Sequence, residues 1–225
     1  MKIIIGLQAR TNSKRLPGKV LKKINDKPLL SFVIDRLKKT KLSNEIFVLT
    51  SKQKSDDVIE YYCKKNNIKF FRGSLDNVLS RFVLFGKAYN AFGVVRICAD
   101  SPWIDYDLIN RMSRIFLENR YDIITNTFPR TFPSGQSVEI IKTNILEQID
   151  DLNLNHYHKE HVTSYIYENY KNFKIKNLKC FNDYSKINLS IDVNDDLKKF
   201  ENFVESFKGK VDDLSLKKVI ESYKN

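Results

Sequence analysis

Short apolar runs alternate with longer stretches of helical spacing through the first half of the chain. KIIIGLQ, EIFVLTS, IKFF, GVVRICA and YDIITN have the length and the Ile, Val and Phe content of buried strands. Between them, SFVIDRLKK, DDVIEYYCKK, NVLSRFVLFGKAY and YDLINRMSRIFLENR place apolar residues three and four apart, which gives a helix one apolar face. This alternation predicts an α/β fold with a mainly parallel central sheet flanked by helices. Ser55, followed by Asp56 and Asp57, reads as a helix start, because acids suit the positive end of the helix dipole. The alternation breaks at TNTFPRTFPSGQSVEII, where Pro129, Pro133 and Gly135 interrupt it, and an excursion is expected over residues 126–169. INLSIDV predicts a last strand, ahead of a helix whose Leu197, Phe200, Phe203, Val204 and Phe207 form one apolar stripe. With no internal repeat and no low-complexity linker, residues 1–225 are expected to form a single domain.

Composition narrows the class. Hydrophobic residues make up 42% and charged residues 29%, as in soluble globular proteins, and no apolar run approaches the roughly 18 residues that a membrane span needs. Met1 leads straight into a strand without a secretory leader, and Cys63, Cys98 and Cys180 are odd in number and widely spaced, so a cytoplasmic protein with reduced thiols is expected. Net charge is +12, from 39 Lys and Arg against 27 Asp and Glu. The lysines are spread along helix faces, as in LKKT and YCKKNN, so neither nucleic acid nor membrane is the expected partner. Such a field suits a small anionic substrate.

Candidate chemistry begins in LQARTNSKRLPGKVL, directly after the first strand. Open parallel sheets bind ligands beyond the carboxyl ends of their strands. Arg10, Lys14, Arg15 and Lys19 can neutralise a triphosphate there, although neither the Walker spacing nor Gly-x-Gly-x-x-Gly is present. Asp100, after GVVRICA, and Asp192, within INLSIDV, also end strand-like segments and offer the oxygen ligands that magnesium prefers; the alternative for each is a turn or cap. Asp105 and the group Asn194, Asp195, Asp196 read as helix starts. His156, His158 and His161 lack a fourth zinc ligand or a nearby cysteine, so zinc is not expected.

ARTNSKRLPGK follows the pattern A-R-x-x-S-x-R-L-P-x-K and resembles the signature of cytidylyltransferases that make CMP-activated sugars, the acylneuraminate and CMP-Kdo synthetases, and in particular the spore coat polysaccharide F-type enzymes. RGSLDNVLSRF at 72–82, VRICADSPWID at 95–105, NTFPRTFPSGQSVEI at 126–140, KEHVTSYIYEN at 159–169 and SIDVNDDL at 190–197 extend the resemblance along nearly the whole chain.

The resemblance implies a Rossmann-like nucleotide-diphospho-sugar transferase fold, magnesium dependence, a homodimer, and transfer of CMP from CTP to a sugar acceptor with release of pyrophosphate. It implies catalytic roles for Arg10, Lys19, Asp100 and Asp192, with Asp100 and Asp192 as the metal ligands. The nucleotide would meet Leu7, Gln8, Ala9, Ser13, Arg15, Ser74 and Asp100, with the backbone of 7–9 against the base; Asp76 and Arg81 are placed to approach nucleotide or acceptor. Arg130, Gln136, Glu139, Glu160 and His161 are acceptor-site candidates, with loop shaping or a subunit contact as their alternative. Phe128, Phe132, Tyr157, Tyr165 and Tyr167 are expected to be exposed at that contact. A nonulosonic or related sugar acid for a surface polysaccharide is the leading acceptor, with a phosphorylated or phosphonate acceptor still open. The competing enzyme is a glycosyltransferase of related fold, for which IDYD at 104–107 has the Asp-x-Asp spacing.

Overall fold

The computed structural model describes residues 1–152 and 154–224. The chain begins with β1 (Ile3–Gln8), crosses a small hairpin of β2 (Lys23–Ile24) and β3 (Lys27–Pro28), and enters α1 (Leu29–Leu37). Then follow β4 (Ile46–Ser51), α2 (Asp57–Lys65), β5 (Phe70–Gly73), α3 (Val78–Ala88), β6 (Gly93–Cys98), α4 (Tyr106–Phe116) and β7 (Ile123–Thr125). The remainder comprises β8 (Glu139–Lys142), α5 (Thr143–Asp150), α6 (His156–Glu160), α7 (Ser164–Glu168), β9 (Ile175–Asn177), α8 (Asn194–Ser206) and α9 (Leu216–Lys224).

The large sheet runs β5-β4-β1-β6-β8-β7-β9. Pairings β1–β4, β1–β6, β4–β5 and β7–β9 are parallel, whereas β8 lies antiparallel to both β6 and β7. The five strands read from apolar runs are all present, and the sheet is mainly parallel as expected. β1 can be central because Ile3 to Leu7 are all buried, so both of its faces need cover. Ile3, Ile5 and Leu7 join one core with Leu30, Val33, Phe116 and Phe200, while Ile4 points into the other with Phe82, Phe85 and Leu146. Burying such a side chain contributes about 1.5–3 kcal/mol relative to exposure.

Two segments differ from the sequence reading. The expected excursion over 126–169 returns β8 into the sheet, because the apolar Ile140 and Ile141 complete the β6 edge after the Pro-rich loop. INLSIDV is not a ladder strand: among the described residues an isolated bridge joins Asn188 to Ser134, and irregular backbone with bends at Ser190 and Val193 follows. Its backbone is still tied down, with Leu189 N donating to Ser134 O at 3.0 Å and Ile191 N to Asp100 O at 2.8 Å. Gly135 permits this approach. It has φ +82°, and a Cβ there would lie 2.7 Å from the Leu189 carbonyl carbon and from Ser190 N.

The C-terminal region is clamped to the core by Arg36, which is 1% exposed and donates to the carbonyls of Ile104 at 2.6 Å and Leu214 at 2.9 Å. The α8 stripe packs as expected, with the Phe200 ring 4.9 Å from Trp103 and 5.1 Å from Phe32. Asp56 pins the loop after β1. Its Oδ1 accepts from Thr11 N at 2.8 Å and Thr11 Oγ1 at 2.7 Å, and its Oδ2 from Ser51 Oγ at 2.5 Å and Ser51 N at 3.2 Å. Asp56 sits at the start of α2, where the sequence suggested it, but its carboxylate turns toward the loop and does not cap the helix. Burial works to raise its pKa, yet the bonds from Ser51 and Thr11 prevail and hold it below the usual carboxylate value.

Gly135→Ala is expected to lower stability by about 2 kcal/mol or more, measured by urea unfolding, because the clash is with backbone and the φ is strained for a side chain. For Asp56, a depressed folded pKa means that its contribution is fully present above the unfolded carboxylate value and disappears as pH falls through the folded one. Asp56→Ala should therefore cost about 2–4 kcal/mol at pH 7. Urea midpoints recorded against pH should keep wild type and variant apart down to about pH 4 and draw them progressively together below it; curves that stay parallel on further acidification would refute the role.

Candidate active site

A cavity of about 540 Å³ opens at the carboxyl ends of β1 and β6. The end of β1 supplies Gln8 and the loop after it Arg10, Asn12, Ser13, Lys14, Arg15 and Lys19; Leu75 and Asp76 come from the turn before α3, and Cys98, Ala99 and Asp100 from the end of β6. Glu160 from α6 and Asp192 from the irregular segment before α8 complete the lining. The loop is shaped by its own backbone: Gly18, in the left-handed region at φ +69°, donates its N–H to Thr11 O at 2.8 Å, so the chain doubles back and turns Lys19 inward.

Lys19 is the hub. It is 8% exposed, and its Nζ donates to Asp100 Oδ2 at 2.8 Å, Ile191 O at 2.8 Å and Asp192 Oδ1 at 3.1 Å. Burial alone would depress its pKa, but Asp100 and Asp192 outweigh burial and hold the ammonium above the ordinary lysine value. Burial likewise pushes Asp192 up, and the Lys19 bond, the Lys19 charge, the Ser190 hydroxyl and Arg15 together bring it below the usual carboxylate range. Arg15 reaches Asp192 Oδ1 at 3.0 Å from a mostly exposed position. Arg10 faces Glu160 Oε1 at 3.4 Å. Burial pushes the Cys98 thiol up to about 11, so this part of the wall is neutral near pH 7.

Asp100 and Asp192, 92 positions apart in sequence, share one ammonium and hence are within reach of one small cation. Two carboxylates with room for phosphate oxygens and water suit magnesium. Among the described residues no group of three or more His, Cys, Asp or Glu side chains is arranged to hold a metal by itself.

The remaining sequence candidates divide. Ser13 lines the cavity, but the Leu7 and Ala9 side chains are buried, and Ala9 N and Gln8 O are engaged by Leu49 O at 2.9 Å and Ala99 N at 3.0 Å. Ser74 lies just behind the wall, where its Oγ accepts from Asn77 N at 3.0 Å; Asn77 caps α3. Gln136 is fully buried, donating to Trp103 O at 2.6 Å and accepting from Asp105 N at 3.0 Å. Glu139 is 3% exposed, with Oε2 on Arg96 at 2.5 Å and Oε1 accepting from Thr163 Oγ1 at 2.8 Å and from the Tyr167 hydroxyl at 2.5 Å. Arg130 donates to Ser137 Oγ at 2.8 Å and Pro133 O at 3.3 Å. Gln136, Glu139 and Arg130 therefore brace the excursion in this structure and do not line the cavity. His161 lines a smaller neighbouring hollow with Arg96, Tyr157 and Tyr167. The aromatics expected to be exposed are mostly covered: Phe132 is 6% exposed and Phe128 stacks on Tyr167 at 4.7 Å, leaving Tyr157 exposed at 54%. In IDYD, Asp105 caps α4 by accepting from Asp107 N at 3.0 Å, and neither acid lines the cavity.

One contributor has no signal in the sequence, and a second sits elsewhere than its motif suggests. Asp56 shapes the loop, and nothing local distinguishes it from an ordinary first-turn acid. Arg81, expected to approach nucleotide or acceptor, is fully buried on α3 against Gly73 at the end of β5, and its guanidinium nitrogens have no hydrogen-bond partner among the described residues. Burial pushes its pKa down to about 10 against the pull of Asp56, with Arg10 and Arg96 adding to the depression.

A family profile described as cytidylyltransferase matches residues 3–222. The spore coat polysaccharide biosynthesis protein SpsF of Bacillus subtilis is 32% identical over 73% of this chain and 69% of its own length. A 3-deoxy-manno-octulosonate cytidylyltransferase of Bdellovibrio bacteriovorus is 28% identical over 63% of this chain and 57% of its own. The solved structure of a cytidylyltransferase from Leptospira borgpetersenii superposes with a TM-score of 0.94 at 34% identity, covering 100% of this chain and 94% of that one. A basic loop after β1, two carboxylates converging on its lysine, and these matches along almost the whole length have one common source: the chain belongs to the cytidylyltransferase family.

Proposed function

We propose that the protein transfers CMP from CTP to an oxygen of a sugar acid, a nonulosonic acid or a relative of one, with release of pyrophosphate. The observation that carries this reading is the convergence of Lys19, Asp100 and Asp192 at the strand ends, with Arg10 and Arg15 beside them. The reaction needs a site that gathers a triphosphate, aligns its α-phosphorus and accepts a second substrate at the open side. Arg10, Arg15 and Lys19 would hold the phosphates and stabilise the departing pyrophosphate. Asp100 and Asp192 would hold magnesium, which supplies charge neutralisation on the phosphate oxygens when bound. The acceptor hydroxyl oxygen attacks the α-phosphorus, its proton passing to solvent, as the bond to the bridging oxygen of the β-phosphate breaks and pyrophosphate leaves. Positioning and charge stabilisation dominate such transfers, so a dedicated protein base is not required.

Glu160, facing Arg10 in the cavity lining, is the acceptor-side residue best placed to act; the sugar-acid assignment draws on the activity for which the Bdellovibrio relative is named, and a role in surface polysaccharide synthesis on the name of the Bacillus one. The reading includes a single cytoplasmic domain over 1–225 acting as a homodimer, with Tyr157 on the contact face.

An acceptor panel with CTP and magnesium, read by pyrophosphate release and by the mass of the CMP product, tests the reaction; release without a CMP adduct on any sugar acid refutes the acceptor class. CTP with magnesium should raise the melting temperature more than ATP, GTP or UTP does, since a ligand specific to the folded state stabilises it in proportion to its affinity. Asp100→Asn and Asp192→Asn should each lower turnover about a hundredfold, the effect of removing roughly 3 kcal/mol of electrostatic stabilisation. The double variant should resemble the worse single one, because both act through one site. Near-normal turnover of Asp192→Asn would remove the two-carboxylate arrangement.

A further inference from the structure

Lys19 stands where a cation shared by Asp100 and Asp192 would stand. Its ammonium bonds both carboxylates, at 2.8 Å and 3.1 Å, and a third bond at 2.8 Å to the Ile191 carbonyl fixes it there. Arg15 places a second positive group on Asp192 at 3.0 Å, and Arg10 faces Glu160. Across the whole lining, Arg10, Lys14, Arg15 and Lys19 balance Asp76, Asp100, Glu160 and Asp192. The carboxylates that suit a divalent ion are thus already neutralised by the protein's own cations.

A divalent ion arriving alone has to displace an ammonium that is 8% exposed. Lys19 would then be left desolvated and unpaired, next to a doubly charged neighbour, and both conditions are costly. A triphosphate removes both obstacles. It offers Lys19 and Arg15 new anionic oxygens, and its own negative charge offsets the entering metal.

We propose that Lys19 is a resident counter-ion that closes the Asp100–Asp192 pair to free divalent metal, so that metal is accepted only together with a nucleoside triphosphate. The inference rests on the two-carboxylate metal site of the proposed function, and adds to it a selectivity for the metal–nucleotide complex over the free ion. By linkage, metal and triphosphate strengthen each other's binding by the same factor, and removal of the Lys19 charge reduces that coupling.

The test is a manganese titration of the full chain without nucleotide or acceptor, followed by water-proton relaxation. Wild type should not saturate below about 1 mM manganese, whereas Lys19→Met should bind it at least about tenfold more tightly. Lys19→Arg, still cationic, should behave as wild type, and adding Asp192→Asn to Lys19→Met should abolish the gain. A folded Lys19→Met that binds manganese no better than wild type overturns the proposal. So does wild type whose melting temperature rises as much with manganese alone as with manganese and CTP together, a measurement that decides the matter even if Lys19→Met does not fold. Because the titration contains no CTP or acceptor, a failure of CMP transfer leaves its result standing. A negative titration beside normal pyrophosphate release removes only the gate.

Discussion

The arrangement depends on one buried ammonium. Lys19 can be 8% exposed and charged only because three acceptors surround it, and those acceptors come from two other parts of the chain. Asp100 arrives at the end of β6, a strand paired directly with β1. Asp192 and the Ile191 carbonyl arrive on backbone that belongs to no strand. A buried ammonium without such partners would be strongly unfavourable, so the loop after β1, the end of β6 and the 189–192 segment have to be positioned together.

Much of the C-terminal half can be understood as support for that third segment. Ser134 O receives Leu189 N, Asp100 O receives Ile191 N, and Gly135 lets the two backbones approach without a side chain between them. Asp196, in the first turn of α8, accepts from Asp192 N at 2.8 Å and Val193 N at 3.0 Å, which sets where the helix begins relative to the site. Phe200 then anchors α8 on Trp103 and Phe32, and Arg36 holds the stretch that leads to α9.

Two buried carboxylates show the same economy with the signs reversed. Asp56 is a buried carboxylate satisfied by four donors, and it couples the β1 loop to the end of β4. Glu139 is a second, tied to Arg96, Thr163 and Tyr167, and it fastens α7 to the sheet beyond the cavity. These carboxylates set the shape within which Arg10, Glu160 and the Lys19 cluster meet. Their saturation explains why acids and amides quoted from the same motifs differ in placement: Glu160 keeps an oxygen toward the cavity, whereas Glu139 and Gln136 have theirs committed inside.

Local pattern alone determined the α/β class, the five strands from β1 to β7 outside the hairpin, the helices α1 to α4 and the apolar face of α8. Each of these follows from whether a segment must bury one face or two, and the segment's own residues record that. The family resemblance carried by the motifs implied roles in nucleotide chemistry for Arg10, Lys19, Asp100 and Asp192. Tertiary structure decided that β8 re-enters the sheet antiparallel, that INLSIDV is irregular backbone without a ladder, and that Gln136, Glu139 and Arg130 brace the excursion. It also decided that Asp56 reaches back 45 positions to Thr11. An acid in a helix's first turn reads the same whether it caps that helix or bonds a distant loop, because a side chain's partner depends on the closure of the chain, and closure leaves no local period in the sequence.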